Sequence, residues 1–282
     1  MAALGTMNEL QVLQLTPEGA LLDGGPEGPV LLPLPKGPQA IEPGQTLKVF
    51  VYRENEGRLV ASLQAPLAQG GEVAFLKVVS TNRAGAYLAW GLPQDLFMPW
   101  KEVKHEVRRL VKEGNRVLVF LFMDELGRMA ASTRLADFLI DEADEFREGD
   151  KVTLVIGDHT DIGVRVIVNH RYWGMVHTND LFCKVNRGET REGYIKALRE
   201  DRKLSLSLSA PGYAKVDEVA QHLLDVLKRR GGFLPVTDKS QPETIYALFG
   251  ISKKVFKVTL GALYKTRRIS IDPDGIRLLS AP

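Results

Sequence analysis

With 282 residues, 44% of them hydrophobic and 26% charged, the chain has room for two to four small folded domains and does not have a disordered composition. Its longest apolar run, Val117 to Met123, spans seven residues, the opening MAALGTMNELQ lacks the basic flank and apolar core of a signal peptide, and Cys183 is the only cysteine. This excludes a spanning helix, an internal disulfide and a thiolate zinc cluster, and a reducing cytoplasm is the expected location. Net charge is +2, but residues 213–282 carry 12 Lys+Arg against 7 Asp+Glu (+5), leaving 25 against 28 (−3) for residues 1–212. By charge alone only the C-terminal part invites an anionic partner.

Along the first 212 residues one pattern is written three times. GRLVAS at 57–62, GRMAAS at 127–132 and RKLSLS at 202–207 each put a basic residue and an apolar pair before a serine. Each serine follows a glycine by 18 or 19 residues (Gly44, Gly114, Gly188), and each glycine opens a strand-like run: QTLKVFVY, NRVLVFLFM and REGYIKALR. Turn residues lie between the two halves, so each is a predicted hairpin. Upstream, GALLD, GAYLAW and GVRVIV form glycine-led strands, and VLLP, LFMP and GMVH form short strands ending in Pro or His. With the leading strands LQVLQLT, EVAFLKVVS and KVTLVIG, each unit has five strands in about sixty residues. A closed five-stranded barrel is the expected result, because closure leaves no exposed edge. The alternation in KLSLSLS places Leu204, Leu206 and Leu208 inward, and Ser205, Ser207 and Ser209 outward. The recurring serine therefore reads as an outward barrel position and not as a nucleophile. VLVFLFM is apolar on both faces, so its outer face is expected to be covered by another domain or the linker.

ADFLIDEADEFREGD at 136–150 is acidic and reads as a solvated helical spacer, since it lacks calcium-loop spacing. After APGY the period becomes helical. Val216, Val219, Ala220, Leu223, Val226 and Leu227 mark one helix face ending at Gly231-Gly232. A second helix is capped by Ser240, has Pro242 early and ends at Gly250. A third opens at Ser252 with Val255, Phe256, Leu260, Leu263 and Tyr264 inward, and a hairpin follows through Asp272-Pro273-Asp274-Gly275. The fold class is thus mainly β with a C-terminal α+β domain. The expected divisions are a degenerate barrel over 1–66, a second over 67–135, the acidic spacer over 136–148, a third barrel over 149–211 and a winged helix over 212–282.

The barrel elements resemble the S-one domain, an OB-fold module that binds single-stranded RNA. The resemblance rests on the glycine-led second strand, the third strand similar to Gly-Phe-Val-His, the glycine before the fourth strand and the terminal serine. The third unit fits best and the first, without aromatics in GALL and VLLP, least. The resemblance implies that the binding face comprises Tyr87 and Phe97 in the second unit and Arg165, Trp173, Met175 and His177 in the third. Rings there would stack on unpaired bases and Arg165 would pair with phosphate or stack. In a winged helix the third helix often enters a nucleic-acid groove; here it carries Lys253, Lys254, Lys257 and Lys265, with Lys253 and Lys257 on one face and Arg267 and Arg268 leading into the wing. Three such barrels followed by a winged helix are similar to the conserved virulence factor B family of bacterial RNA-binding regulators. That resemblance implies single-stranded RNA as partner, post-transcriptional control as role and no catalytic step. A duplex or a protein as partner of the winged helix stays open, as do a winged-helix DNA-binding regulator and a ribosome-associated scaffold as alternative roles.

No enzyme is expected. The assigned domains leave no segment for a catalytic one, and GGPEGP at 24–29 has glycines but no following Lys and helix to make a phosphate loop. His159, His170, His177 and Cys183 match no zinc spacing, so neither metal nor cofactor is expected.

Overall fold

The structure is a computed structural model that describes residues 2–34, 41–54, 57–181, 184–209 and 215–279; Cys183 lies outside them. Two compact units divide the chain, Met1–Leu139 and Ile140–Pro282.

The first unit holds two closed barrels. One is built from β1 (Thr6–Thr16), β2 (Gly19–Asp23), β3 (Pro29–Pro33), β4 (Thr46–Arg53) and β5 (Leu59–Ser62). The other is built from β6 (Val73–Thr81), β7 (Gly85–Ala89), β8 (Leu96–Pro99), β9 (Arg116–Met123) and β10 (Met129–Ser132). A third barrel, in the second unit, uses β11 (Lys151–Thr160), β12 (Gly163–Val168), β13 (Tyr172–His177), β14 (Thr190–Leu198) and β15 (Leu204–Ser207). All three share one strand order, in which the third strand pairs with the fifth in parallel and the fourth closes on the first. Each leading strand also carries a bulge at the same place, between Val12 and Gln14, Val78 and Ser80, and Ile156 and His159. A bulge bends the strand and raises its twist, which a small barrel needs in order to close.

The repeated glycines have a steric cause. At Gly19, Gly85 and Gly163 a Cβ would lie 2.0, 2.3 and 2.2 Å from the carbonyl oxygen of Leu32, Met98 and Val176, so the second and third strands approach only where there is no side chain. Gly44, Gly114 and Gly188 instead take φ of 88°, 86° and 80°, the left-handed conformation of a turn into the fourth strand.

The recurring serine differs from expectation. Ser132 and Ser207 are buried, as is Ser205, and Ser62 is half-buried. In all three barrels the terminal hydroxyl accepts the main-chain N–H two residues on: Gln64 at 3.0 Å, Arg134 at 3.0 Å and Ser209 at 3.2 Å. The residue thus turns the chain out of its last strand, the local bonding that short hydroxyl side chains favour. Ser132 also donates to the Glu102 carbonyl at 3.2 Å. Ser132→Ala is expected to cost about 1–2 kcal/mol, because it removes both hydrogen bonds made by a fully buried hydroxyl. The shift in denaturant midpoint measures it.

The apolar outer face of β9 is covered, as its pattern requires. Phe138 stacks on Phe120 with centroids 4.5 Å apart and lies 5.3 Å from Phe122. The segment that supplies Phe138 is not the helix expected over 136–148. It makes one 3-10 turn, Leu135–Asp137, and then runs irregularly. Its carboxylates are bonded: Asp137 to Arg134 at 2.7 Å, Asp141 to Arg165 at 3.5 Å, Asp144 to Arg202 at 2.9 Å and Glu142 also to Arg202. Pairing to the β14–β15 turn and to β12 competes with a helix that propensity alone would allow.

In the first unit, Phe50, Tyr52 and Val60 from the first barrel share one buried cluster with Leu76, Leu88 and Trp90 from the second. The third barrel has its own core around Leu154, Val166 and Leu206.

The last domain comprises α1 (Lys215–Arg229), β16 (Phe233–Leu234), α2 (Pro242–Phe249), α3 (Lys253–Lys265), β17 (Ile269–Asp272) and β18 (Gly275–Leu278). Val219, Ala220, Leu223 and Leu227 bury the α1 stripe against Phe249, Phe256 and Leu260; the side chain of Val216 lies outside the described residues. Three local expectations divide. Ser252 caps α3, accepting from Val255 N–H, and Gly250 ends α2 at φ 68°. Ser240 does not cap α2: the cap position is Gln241, and the Ser240 hydroxyl accepts from Thr237 N–H at 2.9 Å. Tyr264, expected inward, is 58% exposed, because the stripe through Phe256, Leu260 and Leu263 already fills the face toward α1.

Candidate nucleic-acid interface

Strand register shows where the residues expected on the binding face lie in their barrels. Gly19, Gly85 and Gly163 pair with Pro33, Pro99 and His177, and two residues inward the equivalent pairs are Leu21 with Leu31, Tyr87 with Phe97, and Arg165 with Met175. The same position therefore holds two leucines, two aromatics, and an arginine with a methionine. In the second barrel the rings of Tyr87 and Phe97 are half-buried, with centroids 5.2 Å apart. A half-buried pair of this kind keeps part of its π-surface open to an unstacked base.

In the third barrel the next pair is Ile167 with Trp173. The Arg165 guanidinium lies 3.7 Å from the centre of the Trp173 ring and reaches Asp141 at 3.5 Å. One ring face is thus already stacked by a cation. Met175 and His177 are half-buried on the same strand.

Three neighbours escaped the strand-parity argument because they follow β8 instead of lying within it. Trp100 donates its indole N–H to the Asn82 carbonyl at 2.9 Å, and Arg108 lies 4.8 Å over its ring. Asn82 in turn donates to the Tyr87 hydroxyl at 3.5 Å, tying this group to the aromatic pair. Lys101 is exposed beside them. The signal in the sequence was Pro-Trp-Lys immediately after the third strand.

A cleft of about 630 Å³ opens beside Tyr87 and Phe97, bounded also by Phe122, Lys101, Tyr52 and Arg53. Burial pushes the Tyr52 hydroxyl pKa up, and Glu54 adds to the effect. On the cleft wall, burial would raise the Asp124 carboxyl, but hydrogen bonds from Arg128 and from the Leu126 N–H overcome it and hold the pKa below the ordinary range. A carboxyl depressed by folding stabilises fully above its unfolded pKa and loses that contribution as pH falls through the folded value. Asp124→Asn is therefore expected to flatten the loss of melting temperature between pH 5 and pH 2.

In the winged helix the lysines are placed unequally. Lys253 directs Nζ to the Lys239 carbonyl at 3.4 Å and Lys257 pairs with Asp238 at 3.8 Å, whereas Lys254 and Lys265 are exposed on the same helix. The wing is acidic at its tip. Its arginine, Arg277, is held by Asp272 at 3.1 Å and Asp274 at 2.5 Å and lies 4.3 Å over Phe233.

Among the described residues no group of three His, Cys, Asp or Glu could hold a metal, and no helix is long and apolar enough to cross a membrane.

Comparison with known proteins agrees with this architecture. The S1 domain model matches residues 4–64 and 71–134, and the CvfB-like winged helix domain model matches residues 221–278. The first barrel, weakest by its surface motifs, is thus matched as well. Conserved virulence factor B of Staphylococcus epidermidis is 29% identical over 241 residues, covering 84% of this chain and 81% of its own. The Staphylococcus saprophyticus protein of the same name is 28% identical over 239 residues, covering 83% and 80%. A crystal structure described as a multidomain protein with nucleic acid binding domains, from Streptococcus pneumoniae, aligns over 98% of both chains at 22% identity and a TM-score of 0.43. S1 domains are nucleic-acid-binding modules and winged helices bind nucleic acid or protein, and neither is a catalytic type. With S1-type barrels leading into a CvfB-like winged helix, the chain matches conserved virulence factor B proteins over most of its length.

Proposed function

We propose that this protein binds single-stranded RNA through a face on the second barrel and a face on the third, each by itself, and acts, without a catalytic step, as a bacterial post-transcriptional regulator. The observation that carries the reading is the register equivalence of Tyr87–Phe97 with Arg165–Met175, the latter extended by Trp173. Both barrels present stacking groups at the same place on an OB-type face, and bases must be unpaired to reach them. The regulatory role follows from the resemblance to the conserved virulence factor B family, whose staphylococcal members this chain matches.

The winged helix favours duplex DNA less. Arg277 is committed to Asp272 and Asp274, and Lys257 to Asp238, which leaves the wing tip acidic where a DNA phosphate would lie.

Stacking is less salt-sensitive than phosphate pairing, because few counterions are released. The affinity for a labelled single-stranded RNA is therefore expected to fall shallowly with salt, with a logarithmic slope of roughly −1 to −3. A slope much steeper than this, together with equal affinity for duplex DNA, would assign binding to the lysines of α3.

A further inference from the structure

The first barrel lacks a stacking pair, since Leu21 and Leu31 occupy the positions of Tyr87 and Phe97. We propose that it instead completes a nucleobase pocket on the second barrel, so that one base of the single strand lies against Tyr87 and Phe97 and is closed from the other side by Tyr52 and Arg53. This rests on the single-stranded RNA reading above and gives the first barrel a ligand-binding role of its own.

Four observations carry it. First, the cleft of about 630 Å³ has walls from both barrels, Tyr52 and Arg53 at the end of β4 facing Tyr87, Phe97 and Phe122. That volume is in the roughly 300–1,000 Å³ range of small-ligand pockets. Second, the walls are fixed relative to one another. Trp90 packs edge-on to Phe50 at 5.6 Å and to Tyr52 at 6.2 Å, and Gly70 N–H donates to the Gly5 carbonyl at 2.8 Å. Met7 N–H also donates to the Gln69 side chain at 2.8 Å. A preformed cleft needs little ordering when a ligand binds.

Third, the charges of the cleft suit a base better than a phosphate at depth. Arg128 is held by Asp124 through two bonds, at 3.0 and 2.7 Å, and Lys101 is the exposed cation without an ion pair among the described lining residues. Asp95, Glu102 and Glu125 line the same cleft as carboxylates. Carboxylates accept the N–H edges of bases and repel phosphate, so the strand enters base first, with its backbone toward Lys101. Fourth, Arg53 donates Nη1 to the Gly57 carbonyl at 2.8 Å and lies 3.8 Å from Glu27, yet its Nε is buried with no hydrogen-bond partner. An unpaired buried donor is costly, and a guanidinium shift toward a base or ribose oxygen would satisfy it.

The test uses the full chain and a single-stranded RNA of about ten nucleotides carrying 4-thiouridine, near the site size of OB folds. Photo-crosslinks are expected both at the Tyr87 or Phe97 peptides and at the β4 peptide holding Tyr52 and Arg53. Arg53→Ala is expected to weaken binding about 5- to 20-fold, the loss of one or two hydrogen bonds to the strand. If Arg53→Ala lowers the melting temperature, Arg53→Lys, which keeps the stem and the charge beside Glu27 but lacks the guanidinium donors, provides the same reading on a folded protein. Crosslinks at Tyr87 or Phe97 without any in β4, together with wild-type affinity in the variant tested, would overturn the composite pocket and leave RNA binding by the second barrel standing. Absence of crosslinks from both the second and the third barrel would overturn the single-stranded RNA reading itself.

Discussion

Replacing Tyr87 and Phe97 together by alanine is expected to weaken single-stranded RNA binding by roughly 10- to 100-fold while the chain stays folded. The factor follows from stacking energies of about 1–3 kcal/mol per base, where 1.4 kcal/mol is tenfold. The two rings touch each other at 5.2 Å and are half-buried, whereas the core beneath them is formed by Ala86, Leu88, Leu96 and Met98, all nearly inaccessible to solvent. Truncating the outer pair therefore removes ligand contact and spares the packing that holds the barrel. Isothermal titration with a labelled or unlabelled oligomer, beside a thermal melt of the same sample, separates the two effects. Unchanged affinity in a folded variant would mean that these aromatics are surface packing without a ligand.

The second large effect is on folding. Gly85→Ala is expected to destabilise the second barrel by about 2–4 kcal/mol, the scale of strain that local rearrangement cannot relieve. Its Cβ would lie 2.3 Å from the Met98 carbonyl oxygen and 2.8 Å from the Phe97 ring, so β7 and β8 must separate and the Phe97 ring must turn. Gly114→Ala in the same barrel is the control. There φ is 86° but no atom lies within 4 Å of the added methyl, so only the conformational cost of about 1 kcal/mol applies. Chemical denaturation of the full chain should order the two variants in this way, and Gly85→Ala should also reduce RNA affinity because it disturbs the aromatic pair.

These contrasts explain what could be read from the sequence. The glycine, hairpin and serine pattern recurs because each barrel closes through the same close approach, the same bulge and the same turn, and such local requirements leave residues at fixed spacing. The places of Tyr87, Phe97, Arg165 and Trp173 on the second and third strands of their barrels were legible from the glycine-led strands and the resemblance, and their contact with a ligand is the proposal. The function of the serine was not, because alternation assigns a side and says nothing of an N–H two residues on. The spacer read as helical because its carboxylates were counted without the arginines they pair with: Arg165 and Arg202 are 24 and 58 to 60 residues away. Tyr264 was placed inward by a periodicity that marks a stripe but not its width. The cleft was hidden for a different reason. It depends on how Phe50 and Tyr52 of one barrel meet Trp90 of the next, and two repeats of one pattern contain no signal of their mutual docking.

The central claim is that the barrels, not the winged helix, read the nucleic acid, and that they read single strands. Fluorescence anisotropy with a labelled single-stranded RNA and a duplex DNA of equal length, using the wild-type chain and a Trp173→Ala, His177→Ala double variant, tests it most directly. The account predicts that the wild type prefers the RNA and that the folded variant loses this preference. Equal binding of duplex DNA, unaffected by the double substitution, would contradict it and move the functional surface to α3.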